Sequence, residues 1–172
     1  MALLKITVDG LPAFNRAFDT LGRTVSDFRP AWPEIERIFF RATLEQFDTE
    51  GARSTKWAPL SPNYAKQKAR RFPGRQILVR TGRLKRSLSV IGSGGGDQIR
   101  DEEATSLTLG TRVDYAIYHQ RGGRRLPARR PLEITLRDAG RMTSRLFRYA
   151  ERAAGEAGFK VKGGRLQTIG DT

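Results

Sequence analysis

The sequence predicts an α+β fold, in which a small, mostly antiparallel β-sheet packs against N-terminal and C-terminal α-helices. Apolar residues recur every three or four positions over 11–28, 35–47 and 136–154, as on one face of an amphipathic helix. Apolar and polar residues alternate over 3–8 and 105–111, as in a half-buried strand. A chain of 172 residues is also long enough to bury a core of its own.

The N-terminal half contains three predicted helices. The first covers residues 11–28, and the second starts at Pro33 and ends near Gly51. A short basic helix then covers residues 62–71, with Ser61 as its N-cap. Proline is tolerated at the start of such helices because its missing N–H would be unpaired there in any case.

The middle of the chain is predicted to be less regular. A short segment begins at Thr81 and leads into a strand at Val90 and Ile91. Residues 92–96 are serine and glycine, which predicts a flexible connection. Residues 101–103 are acidic and are expected to form a solvated loop.

The C-terminal third is predicted to hold a rigid loop, a helix and a tail. The loop, residues 115–131, contains the only histidine of the chain, and we expect its aromatic end to pack into the domain and its basic end to face a neighbour. The helix covers 136–154, with Ala139 on its apolar side. Residues 155–172 form a basic, glycine-rich tail expected to order only on a partner, so the domain covers 1–154.

Composition limits the classes of function. The absence of cysteine excludes disulfides, thiolate metal sites and cysteine nucleophiles, and no apolar run is long enough to predict a transmembrane helix. The N-terminus is expected to be a strand and not a signal peptide. The net charge is +14, and residues 51–96 hold eleven basic and no acidic residues. Such a field favours DNA, RNA or an acidic protein surface, although a solvated basic face is an equally good interpretation.

Few residues qualify as catalytic candidates. His119 is the only histidine, and Ser87, Ser89 and Thr111 are the hydroxyl groups considered beside it, but no nucleophile-elbow pattern is present. A histidine hydrogen-bonded to local backbone or to an interface residue is the commoner arrangement. Glycoside hydrolysis needs a second carboxylate beside Glu50, and none follows it along the chain before Asp97. The sequence therefore predicts no catalytic residue, no metal ligand and no cofactor.

The basic residues predict contacts to DNA or to an acidic partner. Several lysines and arginines follow Tyr64 and lie on both sides of Phe72 in the sequence. This pattern is typical of proteins that contact the phosphate backbone of a nucleic acid without recognising its base sequence. No helix-turn-helix or zinc-finger spacing indicates sequence recognition. The candidate contacts are Lys66, Lys68, Arg70, Arg71, Arg75, Arg124 and Arg125.

Four short blocks occur between residues 35 and 150. The first runs from Phe47 and Gly51 to Trp57-x-x-Leu60-Ser61-x-x-Tyr64-x-x-x-Lys68, and the second is Leu78-x-x-Thr81-Gly82-x-Leu84-x-x-Ser87. The third is Leu109-Gly110-Thr111 followed by Tyr115-Ala116-x-x-His119-Gln120-x-Gly122-Gly123, and the fourth is Pro127-Ala128-Arg129-x-Pro131. In this order and spacing the blocks resemble the phage virion-morphogenesis family, also called tail-completion proteins, of Mu-like and related tailed phages.

This resemblance implies a structural protein of the neck or head–tail junction, of tail-completion or tail-terminator type. Such proteins form a ring that finishes the tail and lets it join the DNA-filled head, and nothing in the family suggests enzymatic activity. The implied partners are copies of the chain itself, a hexamer in preference to a dodecamer, together with other neck and tail proteins. Non-specific contact with packaged DNA is also implied, whereas contact with a membrane is not. The implied location is the virion, after assembly in the host cytoplasm.

The residues that carry the resemblance are expected to be structural or to lie at subunit interfaces. They are Trp57, Leu60, Tyr64, Thr81, Gly82, Leu84, Gly110, Tyr115, His119, Gly122, Gly123, Pro127, Arg129 and Pro131. The alternative hypothesis is a small basic nucleic-acid-binding protein, with or without nuclease activity through His119.

Overall fold

The computed structural model describes residues 2–7, 26–92, 95–124, 126–156, 159–162 and 165–168. Its helices are α1 (Trp32–Asp48), α2 (Pro62–Arg71), α3 (Arg83–Ser89), α4 (Ala116–Arg121) and α5 (Leu136–Glu156). Its strands are β1 (Ala2–Thr7), β2 (Gln98–Glu102), β3 (Ser106–Thr111), β4 (Phe159–Lys162) and β5 (Arg165–Thr168). The predicted α+β class is confirmed. None of the helices in this described part of the chain combines the length and the apolarity needed to cross a bilayer.

The main sheet is antiparallel and has the order β1-β3-β2. β3 lies in its centre, where Leu109 pairs with Leu4 on one side and with Arg100 on the other. Leu107 and Leu109 are fully buried, as expected for alternate positions of a strand whose one face meets the core. The strands predicted at 3–8 and 105–111 are therefore confirmed.

The strand β2 was not predicted. Residues 101–103 were expected to form an acidic loop, but 101 and 102 belong to β2 and pair with β3. β2 lies at the edge of the sheet, and Ile99 is the only one of its five residues that is buried. Arg100 balances its acidic neighbours, because its guanidinium pairs with Glu36 at 2.6 Å and also with Glu102. An exposed edge strand carries few apolar residues, and the alternation that would have identified it is therefore missing.

The strand predicted at Val90 and Ile91 is wrong. Thr81 and Gly82 are followed directly by the helix α3, which buries Leu84 and Leu88 against α1 and β3. Val90 and Ile91 follow this helix, and both side chains are exposed. The spacing of four residues between Leu84 and Leu88 is that of a helix, and the helix ends at Ser89, before the β-branched Val90 and Ile91.

Helix α1 forms the centre of the core. Four of its side chains are fully buried in the core, namely Trp32, Ile35, Phe39 and Phe47. Helices α3 and α5 pack against α1. The indole Nε1 of Trp32 donates a hydrogen bond of 2.9 Å to the carbonyl oxygen of Glu103, which ties the start of α1 to the turn between β2 and β3. The second predicted helix is thus confirmed. The first, over 11–28, lies almost wholly outside the described residues, and its described end, 26–28, is not helical.

Helix α5 confirms the predicted C-terminal helix, but its start is set by an unpredicted polar cluster. Thr135 and Asp138 form a reciprocal capping box, because the Asp138 carboxylate accepts the Thr135 N–H and the Thr135 hydroxyl oxygen accepts the Asp138 N–H. The same carboxylate accepts a 2.6 Å hydrogen bond from the Arg53 guanidinium. Asp138 is consequently buried, whereas Ala139, which was expected on the apolar side, is exposed.

Secondary structure continues beyond the predicted end of the domain at residue 154. Helix α5 extends to Glu156, and β4 pairs antiparallel with β5 in a separate two-stranded sheet. The strand β4 also contacts α5. The division between a domain and a partner-ordered tail stays a prediction.

Gly51 is expected to be one of the most sensitive positions of the fold. Its φ is +87°, and an added Cβ would lie 2.5 Å from both the Thr55 carbonyl oxygen and Cδ1 of Trp57. Gly51→Ala should therefore lower the free energy of unfolding by about 3 kcal/mol, through backbone strain and displacement of the indole. Gly74→Ala is the matched control, since Gly74 also has a positive φ but nothing within 4 Å, and it should cost about 1 kcal/mol. The free energies of unfolding are measured in urea. Equal decreases in the two variants would show that the contact with Trp57 is unimportant.

The capping box predicts a pH-dependent stability. Burial raises the pKa of Asp138, but the hydrogen bonds from Thr135 and Arg53 outweigh burial, and the net pKa is below its usual value. A lowered pKa stabilises the fold above the unfolded pKa of about 3.9, and this stability is lost as the pH falls through the folded pKa. Asp138→Asn should thus cost about 3 kcal/mol at pH 7, because it also removes the closer of the two carboxylates that pair with the mostly buried Arg53.

The measurement is thermal unfolding of the wild type and of Asp138→Asn between pH 7 and pH 2. The difference between their midpoints should be constant near neutrality. It should shrink as the pH falls below about 4 and through the lowered folded-state pKa of Asp138, below which the wild-type carboxylate is protonated as well. Asp101→Asn is the control, because Asp101 is exposed and has no ion pair among the described residues. A difference for Asp138→Asn that did not change with pH would contradict the assignment.

Candidate functional site

A cavity of about 760 Å³ lies where four separate segments of the chain meet. Its walls come from residues 59–68, 78–84, 115–119 and 126–129, which include parts of all four sequence blocks. We call it the motif cavity. The predicted motif residues that line it are Leu60, Tyr64, Thr81, Gly82, Leu84, Tyr115, His119, Pro127 and Arg129.

Arg129 holds two walls of the motif cavity together. Its Nε donates a 2.7 Å hydrogen bond to the carbonyl oxygen of Ala58, and its Nη2 donates one of 2.8 Å to that of Pro59. Its backbone N–H donates to the carbonyl oxygen of His119 at 2.8 Å. The planar guanidinium can reach two successive carbonyls at once, which an ammonium group cannot do in the same fixed geometry. Arg129 thus connects the end of α4 to the loop before α2.

The next residue anchors the loop to the core. The carbonyl oxygen of Arg130 accepts hydrogen bonds from Nε2 of Gln46 at 3.0 Å and from Nε1 of Trp57 at 3.2 Å. Trp57 is 4% exposed, and its indole packs edge-on against the ring of Phe47 with centroids 5.5 Å apart. Trp57 is therefore a core residue that supports the cavity without lining it.

The two adjacent glycines of the loop have different roles. Gly122 has a φ of +73°, and an added Cβ would lie 2.7 Å from the backbone nitrogen of Ala128. Gly123 forms a bridge with Leu126, and an added Cβ would meet nothing within 4 Å. Only Gly122 is required for the loop to fold back on itself. Of the other predicted motif residues, Gly110 is the last but one residue of the central strand β3, and Pro131 is buried behind the loop.

One wall of the cavity contains a strained leucine. Leu78 has a φ of +61°, in the left-handed region that side chains with a Cβ rarely adopt. The residue before it is fixed, because the Ile77 N–H donates to Oε1 of Glu50 at 2.7 Å, and the Val79 N–H that follows donates to the Gln76 carbonyl at 3.0 Å. Glu50, considered from the sequence as an acid, thus serves to position this wall.

The motif cavity contains two buried cations. Lys68 is 6% exposed and Arg129 is 5% exposed, and burial lowers the pKa of both. The Glu50 carboxylate raises the pKa of Lys68, but by less than burial lowers it. No aspartate or glutamate belongs to the described lining. Lys68 was expected among the exposed basic contacts, but its Nζ points inward and donates to the carbonyl oxygen of Gln76.

His119 is half-buried in the wall of the motif cavity. Its Nδ1 is buried and has no hydrogen-bond partner among the described residues, so the expected bond to local backbone is not found at this atom. Burial lowers the pKa of the imidazole, and the nearby Arg129 charge lowers it further, so the ring is neutral at pH 7. Its ring meets that of Tyr115 edge-on, with centroids 6.1 Å apart.

The orientation predicted for the 115–131 segment is found only in part. Its aromatic end was expected to pack into the domain, but Tyr115 is 37% exposed and Tyr118 is 64% exposed. Its basic end was expected to face a neighbour; Arg121, Arg124 and Arg130 are exposed, whereas Arg129 is buried. The segment also begins with helix α4 and is not a loop throughout, and this short helix buries only Ala116 and so leaves the tyrosines outside.

The remaining predicted cations do not join the motif cavity. Lys66, Arg70, Arg71 and Arg75 are exposed on α2 and the turn after it. None of these four has an ion pair among the described residues. Arg124 is exposed beside the bridge at Gly123. Arg125 lies outside the described residues.

Sequence reasoning missed a second basic surface, between α1 and α5. A groove of about 910 Å³ runs between these helices, and we call it the arginine groove. Three acids, Glu34, Glu45 and Asp138, contribute to it as well. The spacing of four along α5 places most of its cations on one face, which is the signal that could have identified them. The arginines that line it are Arg37, Arg41, Arg137, Arg141, Arg145 and Arg148.

The described geometry supports binding and offers no catalytic pair. Ser87 and Thr111 hydrogen-bond to each other at 2.8 Å in the core, and no hydrogen bond links either of them to His119. The described residues contain no group of three or more histidine and carboxylate side chains that could hold a metal ion. What the motif cavity provides is a preformed concave surface with aromatic edges and buried positive charge.

Comparison with protein families gives a match over most of the chain. The sequence model of the phage virion morphogenesis family matches residues 9–151, which contain all four sequence blocks. No curated protein and no solved structure matches the chain significantly. The chain belongs to the phage virion morphogenesis family, as its four blocks predict, and is a structural protein of a phage virion.

Proposed function

We propose that the protein acts at the neck of the virion, as a tail-completion or tail-terminator subunit that finishes the tail and allows it to join the DNA-filled head. The observation that carries this proposal is the convergence of the four family blocks on one cavity that is open to solvent. Residues needed only for a core would be spread through the interior. A shared cavity is instead suited to docking a neighbouring protein.

The assembled form we propose is a ring of identical subunits, a hexamer in preference to a dodecamer. Subunits in a ring meet through two different surfaces, and each copy must therefore expose more than one adhesive patch. Tyr64 and Tyr115 are exposed at the motif cavity, and Val90 and Ile91 are exposed after α3. Leu136, which is 93% exposed, lies at the start of α5. These apolar side chains on separate elements support a subunit with several contacts.

We further propose that the protein is not an enzyme. Its only histidine is neutral, carries no hydrogen bond to a hydroxyl group within the described residues, and lies beside a buried arginine. A general base would need a nucleophile within hydrogen-bond reach and a group to orient it.

Binding of DNA is the second candidate function, and the arginine groove favours it. Arg37, Arg137 and Arg148 are exposed there and have no ion pair among the described residues. Guanidinium groups in a groove suit contact with phosphates irrespective of base sequence. In a neck protein such contacts would be made to the packaged DNA, so this function is compatible with the first.

The proposed function is tested by complementation of a phage that lacks this protein. Wild type should restore joined particles and should form rings in native mass spectrometry. Gly122→Ala should abolish joining, because the clash with Ala128 displaces the loop that holds Arg129. Gly123→Ala is the matched control and should join heads to tails normally, since its Cβ meets open space.

The stability of both glycine variants is measured by thermal unfolding, so that a joining defect is separated from failure to fold. Wild-type protein that stayed monomeric with tails present, while particles lacking it still joined, would rule out the neck assignment. A joining defect of equal size in both glycine variants would rule out the role of the loop.

The arginine groove is tested by DNA binding at different salt concentrations. Replacing Arg37, Arg137 and Arg148 together with glutamine should reduce the slope of log K against log salt by about three units, because each phosphate that the protein neutralises contributes about 0.9 to the slope. The control is Arg70→Gln, Arg71→Gln and Arg75→Gln, which removes the same charge from α2 and its following turn. A larger decrease of the slope in the control would assign DNA binding to the α2 cluster instead.

A further inference from the structure

The motif cavity has buried positive charge that no carboxylate of its described lining balances. Lys68 and Arg129 are both more than nine-tenths buried, and both donate only to neutral backbone carbonyls. A carbonyl satisfies a donor but carries no compensating charge, and a buried cation without an anion is costly. The described lining of the cavity contains no carboxylate.

Elsewhere the protein neutralises a cation that it withdraws from solvent. The side chain of Arg53 is 14% exposed, and it pairs with Asp138 at 2.6 Å and with Glu45 at 3.1 Å. At the rim of the motif cavity, Arg83 pairs with Asp97 at 2.6 Å, although it is more exposed than Arg53. Lys68 and Arg129 differ from these arginines, because neither has an ion pair among the described residues. The Glu50 carboxylate attracts Lys68 without pairing with it, and raises its pKa by less than burial lowers it.

Unused hydrogen-bonding groups lie beside these cations. A guanidinium has five N–H groups. In the guanidinium of Arg129, only Nε and Nη2 donate to acceptors among the described residues, and the backbone N–H of Arg129 donates to a third. His119 Nδ1 is buried without a partner. No carboxylate in the described lining faces the cavity, and the other charged side chains there are the cations Arg80 and Arg83.

We propose that the motif cavity binds the carboxylate of an acidic, partly apolar segment of another virion protein. Arg129 and Lys68 supply the balancing charge, while Tyr64 and Tyr115 at the edge pack on the apolar part of the segment. A different protein is favoured over a second copy at this cavity, because basic residues outnumber acidic ones in this chain by 32 to 18 and a partner richer in carboxylates complements the cavity better. The ring contacts proposed above are then left to the apolar side chains of Val90, Ile91 and Leu136. The identity of the partner as a virion protein rests on the proposed function.

A peptide segment fits the cavity better than a nucleic acid does. Leu60, Leu78, Val79 and Leu126 contribute apolar wall beside the cations. A phosphodiester backbone carries charge at every residue and would leave these walls uncovered, whereas a peptide can alternate carboxylate and apolar side chains.

The single histidine makes the test direct, since its imidazole signals in an NMR spectrum of the full chain are unambiguous. The probe is a blocked hexapeptide of alternating glutamate and leucine, and the control peptide has glutamine in place of glutamate. A bound carboxylate should raise the pKa of His119, because a nearby negative charge favours the charged imidazolium. The glutamine peptide should leave the pKa unchanged.

Two variants separate binding at the cavity from general charge attraction. Thr81→Glu places a carboxylate on the exposed rim and should weaken binding of the acidic peptide by about tenfold or more, through like-charge repulsion. Gln67→Glu adds the same charge to an exposed position of α2 outside the cavity and should leave the affinity within about twofold of wild type. Both positions are exposed, so neither change is expected to prevent folding.

Each remaining outcome overturns the inference. Equal binding of the two peptides would mean that the cavity recognises apolar groups alone. A larger response of the His119 signals to a single-stranded thymidine oligonucleotide would assign the cavity to phosphate. A change of the His119 signals with protein concentration, in the absence of any peptide, would identify a second copy of the chain as the occupant. None of these results would alter the complementation experiment, so failure here and failure of the neck assignment can be told apart.

Discussion

The backbone at Arg129 and Arg130 is the junction on which the candidate site depends. The Arg129 guanidinium holds the carbonyls of Ala58 and Pro59, and its N–H holds the carbonyl of His119. The Arg130 carbonyl in turn receives donors from α1 and from Trp57. All of these bonds except the one to His119 join segments 70 to 84 positions apart in the chain, and they therefore tie the short, irregular stretch around Arg129 to distant parts of the fold.

This junction explains what holds the cavity open. A loop that closed over the space would need its own apolar anchor, but Pro127 is exposed and the loop is held from behind, by its backbone and by Arg129. The opposite wall is held by the strained backbone at Leu78 and by Glu50. Both walls are therefore preorganised, and a partner would not bear the entropy of ordering them on binding.

The sequence predicted the elements whose pattern is periodic and missed those set by polar contacts. Apolar periodicity identified β1, β3, α1 and α5, and proline and serine identified the start of α2. The edge strand β2 has one buried residue, and the start of α5 depends on the link from Thr135 and Asp138 to Arg53, 85 positions away, which no local pattern contains. The four blocks indicated the family, but their convergence on one cavity required the fold, because the segments are distant in sequence.

The distribution of charge shows why net charge alone could not locate the site. The basic stretch 51–96 supplies both Lys68, which is buried, and Arg70 and Arg71, which are exposed two and three residues later on the same helix. An exposed cation is screened by water and salt and has little preference for one partner over another. A buried cation has already lost its hydration, and an anion that reaches it gains more than one at the surface. Selectivity for a partner is therefore expected at the motif cavity, where two buried cations are fixed, and non-selective attraction at the exposed arginines, although those are more numerous.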